Sequence, residues 1–307
     1  MSTCAASPVK TIRISIRQTC LAAWLFAGGW AFGHGDLHER IAGITLQIAA
    51  QPHNAGLHLQ RAELCRQHAD WPAALSDCDR AKQLDPSIDT DFLHGRILLE
   101  SGNAKAALPV LERFLSRQPE HFQASLYRAR ALSKLNRAAD AAAGFREALG
   151  RAPTLEPDLL CETAGALAAE GSAKQAVQVL EMGIEKLGHL PSLVLRLVEL
   201  EIAGKDYDAA LRRVEVMQKS APRPEPWMAR RASVLAQAGR IADSRAAWQA
   251  LLDHLNALPF PARGSHAMIK IMEDSRRALA ALDSANGTLK SELTTQAAPI
   301  PNAPPRE

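Results

Sequence analysis

A small side chain returns at near-constant intervals along this chain, at Ala74, Ala107, Ala141, Ala176, Ala210 and Ser244, in steps of 33, 34, 35, 34 and 34 residues. A second residue class keeps the same beat: Pro52, Pro86, Pro119, Pro153 and Pro222, with Gly188 in the vacant slot. The segments LHLQRAELCRQHADWPAALSDCDRAKQLDP, DFLHGRILLESGNAKAALPVLERFLSRQP and SLYRARALSKLNRAADAAAGFREALGRAP superpose without internal gaps. A fixed period of this size means one supersecondary unit, repeated. An irregular helical bundle gives no reason for near-equal steps. With 47% apolar but only 5% aromatic residues, the core must be filled by Ala, Leu, Val and Ile, a mix that favours helices. Runs of Val, Thr and aromatics alternating at period two are missing, which excludes a β-sandwich or barrel. Collagen-like, disordered and disulfide-dense classes are excluded by ample apolar content and five Cys in 307 residues.

The spacing has a physical cause if each unit is a pair of antiparallel helices that cross closely, since only small side chains fit at the crossing. Ala62, Gly95, Ala129, Ala164 and Ala232 hold that place on first helices, and Ala81 and Ala148 on second helices. Larger residues fill the space alongside: Leu98, Leu132, Leu167 and Leu235 on first helices, then Leu111, Phe145, Leu180, Val214 and Trp248 on second ones. Short polar turns separate the helices, as at Ala69-Asp70, Gly102-Asn103 and Asn136-Arg137. Pro ends each unit because it lacks an N–H and clashes one turn back.

This small–large–small pattern resembles the tetratricopeptide repeat family, over about residues 36–256. The resemblance implies an all-α fold, a right-handed superhelical solenoid of helix-turn-helix repeats with a C-terminal capping helix. Six whole units are expected across 55–256, beginning near Ala55, Ile88, Phe122, Pro157, Pro191 and Glu225. A lone second-type helix in 34–54 precedes them and a closing helix in 257–283 follows. Departures are Val198, Gly183, Met217, Leu251 and Phe114 at positions the pattern gives to small residues, so less regular packing is expected in units four to six.

Residues 1–33 read as a secretory signal: a positive stretch with Lys10, Arg13 and Arg17, an apolar stretch, then small residues at Ala31 and Gly33. Cleavage would leave His34 as the mature N-terminus, with no membrane span remaining and a periplasmic or cell-envelope location. The leader accounts for the whole formal charge of +3, because the other 33 basic residues match 33 acidic ones. A nucleic-acid footprint is therefore absent. Residues 284–307 lose apolar periodicity and gain Pro, and read as a disordered tail.

In the family, the first helices line a concave wall that holds a peptide. Mapped onto this chain, the wall carries Leu59, Glu63 and Arg66, then Phe92, Arg96 and Leu99, then Leu126, Arg130 and Lys134. Arg66, Arg96 and Arg130 would present guanidinium forks one repeat apart, suited to an acidic or carboxylate-bearing segment. Neutralisation by Glu63, Glu100 and Glu112 is the competing expectation. The dicarboxylate clamp of some family members needs Lys and Asn where this chain has Leu59, Gln60, Phe92 and Leu93, so that mode is not implied.

Cys65 and Cys78 take facing positions in unit one, either bonded as a disulfide or filling a Leu-sized slot as thiols. His34 and His38 are one helical turn apart, and with a free amine at His34 they would suit a copper ion. No other metal or cofactor is implied. Catalytic signatures are missing: there is no G-x-S-x-G, no P-loop, no dinucleotide fingerprint and no haem attachment motif. The expected function is an exported, non-enzymatic scaffold that binds a protein or peptide. A copper-linked accessory protein and a self-assembling array of repeats are the alternatives, and the oligomeric state is left open.

Overall fold

The structure, a computed structural model, describes residues 34–296 and the side chains of residues 36–284. The expected signal peptide and residues 297–307 lie outside the described residues. Among the described residues every regular element is an α-helix. The chain divides into two compact units, residues 1–103 and residues 104–307.

The first unit contains α1 (His34–Ala50), α2 (Ala55–Gln67), α3 (Trp71–Leu84) and α4 (Asp91–Glu100). Each helix packs on the next. Asn54 starts α2 by accepting hydrogen bonds from the Gly56 and Leu57 amides at 3.1 and 3.3 Å, and Asp70 starts α3 through the Ala73 amide. Pro72 lies in the first turn of α3, where its missing N–H costs nothing. Ala62, Ala74 and Ala81 are fully buried where α2 and α3 cross, with Cys78 and Ile97 beside them. The fourth helix begins at Asp91, three residues later than Ile88, because Asp85 caps the intervening turn through the Ser87 amide and hydroxyl.

The second unit contains α5 (Ala104–Arg117), α6 (Phe122–Lys134), α7 (Ala138–Arg151), α8 (Pro157–Glu170), α9 (Ala173–Leu187), α10 (Pro191–Ala203), α11 (Tyr207–Ser220), α12 (Glu225–Gln237), α13 (Ile241–Ala257), α14 (Phe260–Arg263) and α15 (His266–Gln296). Here too consecutive helices pack on one another from α5 to α13, and α15 lies against α12 and α13. The small residues are again the crossing points: Ala129, Ala141 and Ala148 are fully buried, and a Cβ added to Gly144 would stand 3.0 Å from that of Ala129. The irregular residues are buried as well. Val198 joins Val214, Met217 and Trp227 in one cluster, and Leu251 joins Trp248, Leu255 and Met268 in another.

The turns repeat as closely as the alanines. A left-handed residue stands two places before each second helix: Ala69, Gly102, Asn136, Gly171, Lys205 and Gly239, at φ between 56° and 96°. After each, an amide reaches back to a carbonyl five residues earlier, from Asp70 to Cys65 and from Asn136's neighbour Arg137 to Leu132, for example. This satisfies a carbonyl at the end of the first helix and reverses the chain in few residues.

The closing helix is longer than its sequence pattern implied. It runs from His266 to Gln296, past the expected tail boundary at 284, and no Pro occurs between Pro261 and Pro299 to stop it. Its N-terminal half buries Met268 and Ser275, and Ile271, Met272, Leu279 and Leu282 pack on the α12–α13 cluster.

Candidate functional site

A groove of about 680 Å³ opens between α1 and α2. Arg40, Gly43, Ile44 and Gln47 line it from α1, and Leu59, Gln60, Glu63, Leu64 and Gln67 line it from α2. Its origin lies in the repeat. Arg40, Ile44 and Gln47 stand thirty-four residues before Ala74, Cys78 and Ala81. On α3 those three side chains are fully buried against α2. On α1 the corresponding face has no helix before it to cover it among the described residues: Arg40 and Gln47 are exposed and Ile44 is half-buried. Nowhere along the described length of α1 is a residue fully buried, and Leu46 is 73% exposed. What holds α1 in place is Ile41, packed on the α2–α3 cluster, and Thr45, whose hydroxyl accepts from Arg61 at 3.2 Å.

Below the groove a polar knot braces the unit. The Arg61 guanidinium donates to both oxygens of buried Asp77 at 2.7 and 2.8 Å, and His58 Nδ1 lies 3.0 Å from the same carboxylate. The hydrogen bond to Asp77 raises the Arg61 pKa against the opposing effect of burial. His58 Nε2 is buried without a partner.

The residues expected on the wall take different places. In the first unit, Arg66 donates to Glu63 at 2.7 and 2.9 Å and to Glu100 at 2.5 Å. Arg96 lies 3.7 Å from Glu63 and over the Phe92 ring at 5.4 Å. Burial pushes the Glu63 carboxyl up, but hydrogen bonds from Arg66 and Gln67 outweigh it and hold the group below the usual carboxylate value. In the second unit, Arg130 donates to Glu162 at 3.0 Å and lies 5.2 Å from the Tyr127 ring centre, while Lys134 is exposed. Each of the three arginines thus already holds a carboxylate of this chain. Leu99 and Leu126 are corrections to the expected wall: at 4% and 5% exposure they are core residues and offer no foothold. Leu59 and Glu63 line the groove between α1 and α2.

Cys65 and Cys78 are free thiols, buried in the same cluster as Ala62, Ala74 and Ile97. The disulfide alternative is therefore not the state of this structure, and the thiols serve as small apolar filling. Burial pushes the Cys78 thiol up to about 12 and raises Cys65 as well, so neither supplies a thiolate near neutral pH. Among the described residues no three His, Cys, Asp or Glu side chains converge as a metal cage, and no helix is long and apolar enough to cross a membrane. His38 meets His68 of α2's C-terminal cap; the side chain of His34 lies outside the described ones.

Sequence reasoning missed Arg40, Gly43, Ile44 and Gln47. The signal was available: counting one period back from Ala74, Cys78 and Ala81 lands on bulky or polar residues where small apolar ones should be.

The tetratricopeptide repeat family model matches residues 92–156, and four further left-handed turns, at Ala69, Gly171, Lys205 and Gly239, keep the same period outside that segment. Residues 92–156 thus belong to the tetratricopeptide repeat family. A solved tetratricopeptide repeat protein from Parabacteroides merdae is similar in fold, with a TM-score of 0.54 at 14% identity, over 79% of this chain and 93% of that one. TTC0263 of Thermus thermophilus, a thermophilic repeat protein, matches at a TM-score of 0.43 and 20% identity, over 59% of this chain and 99% of its own. MamA from Desulfovibrio magneticus matches at 0.46 and 18% identity, over 49% and 85%. No curated relative matches the chain.

Proposed function

We propose that this protein is an exported, non-catalytic adaptor whose α1–α2 groove receives an amphipathic helix from a partner protein. The observation that carries this reading is the offset of one period between Arg40, Ile44 and Gln47 and the buried trio Ala74, Cys78 and Ala81. A second-type helix is shaped to be covered by a helix on this face, and α1 has an open groove instead. Gly43 leaves room for close approach, since nothing lies within 4 Å of the Cβ it lacks. Ile44, Leu59 and Leu64 supply the apolar floor, and Arg40, Gln47, Gln60, Glu63 and Gln67 supply a polar rim of both charges. That combination suits one apolar stripe flanked by polar residues, the pattern of a helix laid in a groove. The arginines of the first-helix face are held by Glu63, Glu100 and Glu162, so an acidic segment would have to displace carboxylates of this chain before it could use them.

A photoreactive residue at position 44, with position 79 on exposed α3 surface as control, tests the groove in cells. The expected result is an adduct from position 44 alone, mapping to a helical segment of another protein and abolished by Leu59→Glu. An adduct to residues 1–33 of the same chain, or to a second copy, would assign the groove to the chain itself and end the partner reading. N-terminal sequencing of the recovered protein tests export separately: a start at His34, or at Phe32, is expected.

A further inference from the structure

Thirty residues separate His38 from His68, and no spacing rule connects them. Packing of α1 on α2 nevertheless brings their Nε2 atoms to 3.0 Å, with ring centres 4.3 Å apart and planes at 64°. The pair lies outside the groove lining and does not depend on a partner occupying it.

We propose that His38 and His68 form a two-imidazole site for a divalent transition ion of tetragonal preference, of the Cu(II) or Ni(II) class. With metal–nitrogen bonds of about 2.0–2.1 Å, a 3.0 Å separation subtends about 94° at the ion. That is the cis angle of a square-planar or octahedral centre; a tetrahedral ion would want the nitrogens about 3.3 Å apart. Neutral imidazole is a favourable ligand for both ions. In the metal-free pair one Nε2–H donates to the lone pair of the other ring. Binding moves that proton to Nδ1 of its own ring, so both rings stay neutral, no proton leaves, and both Nε2 lone pairs face the ion.

The two rings are held differently, which is what a chelating pair needs. His68 is the C-cap of α2, its backbone amide bonded to Leu64 and its neighbour Ala69 locked in the left-handed turn. His38 is exposed on α1, free to turn until the lone pairs converge, and water has access to the remaining positions. An ion held there joins α1 to the end of α2 between residues thirty apart in the chain.

Calorimetric titration of the full chain with NiCl2 tests the site, beside His38→Ala, His68→Ala and His53→Ala variants checked for native helicity. One ion per chain is expected, with affinity falling about tenfold or more in either site variant, since even lost supporting groups cost 10–100-fold. His53→Ala should bind as the parent does. Nickel should also raise the melting temperature of the parent and of His53→Ala only, and broaden the ring signals of His38 and His68 before those of His53. A parent that shows no one-to-one binding overturns the proposal, as does a site that survives both His38→Ala and His68→Ala.

Discussion

The first and third helices are the same kind of element in the same unit, and they end up in opposite environments. On α3, Ala74, Cys78 and Ala81 disappear beneath α2. On α1, one period earlier, Arg40, Ile44 and Gln47 face a groove. Among the described residues, burial of this face thus goes with the presence of a covering helix, and the residue types follow. The covered face tolerates only small side chains because the two rods nearly touch. The uncovered face has freely taken on an arginine and a glutamine.

Writing the α1 residue into α3 tests this most severely. Ala74→Arg places a guanidinium where there is neither space nor a partner, and should cost about 4 kcal/mol or more, enough to unfold the first unit. The reciprocal change, Arg40→Ala, should shift stability by no more than about 0.5 kcal/mol. Urea midpoints of the two variants measure the contrast. Equal effects would mean that α1 is covered in solution after all.

The buried side of the comparison also carries charge. Asp77, below the surface of α3, accepts two hydrogen bonds from Arg61 and lies against His58. Asp77→Ala leaves Arg61 with only the Thr45 hydroxyl as acceptor and His58 with no partner on either nitrogen, since Nε2 already lacks one. A loss of about 3 kcal/mol is expected, at the lower end of the range for breaking a buried pair because Arg61 keeps some contact with water. Asp77→Asn, which preserves shape and one acceptor, should cost less than Asp77→Ala. If the two are equal, packing rather than charge explains the loss.

The helix pairs were legible from sequence because their cause is local and periodic. Ala129 must be small wherever the second helix crosses, and Lys205 or Asn136 must turn left-handed wherever the chain reverses, so the same signature recurs at every unit. The site was less legible because it depends on an interruption of the period. Neutralisation of Arg66 and Arg96 by Glu63 and Glu100 was legible, since Glu63 lies three residues before Arg66 on one helix, but Glu162, which pairs with Arg130 from 32 residues along the chain, was not. A helical wheel of one repeat does not display it. His38 and His68 are harder still, since only the docking of α1 brings them together.

A smaller effect than at Asp77 lies on the rim of the groove, where Glu63 holds Arg66 and Gln67. The same kind of charged contact that is costly to break at Asp77 is partly solvated here, so Glu63→Gln should cost only about 0.5–1 kcal/mol at pH 7. The pH dependence fixes its origin. Burial raises the Glu63 carboxyl, the bonds from Arg66 and Gln67 lower it further, and the folded value lies below the unfolded one. A group shifted in that direction stabilises the fold above the unfolded carboxylate range and loses its contribution as pH falls through the folded value. The gap between parent and Glu63→Gln, read from urea midpoints at a series of pH values, should therefore be constant near neutrality and close on acidification. A gap that persists after Glu63 is fully protonated would trace the loss to side-chain packing against the groove and not to the ion pair.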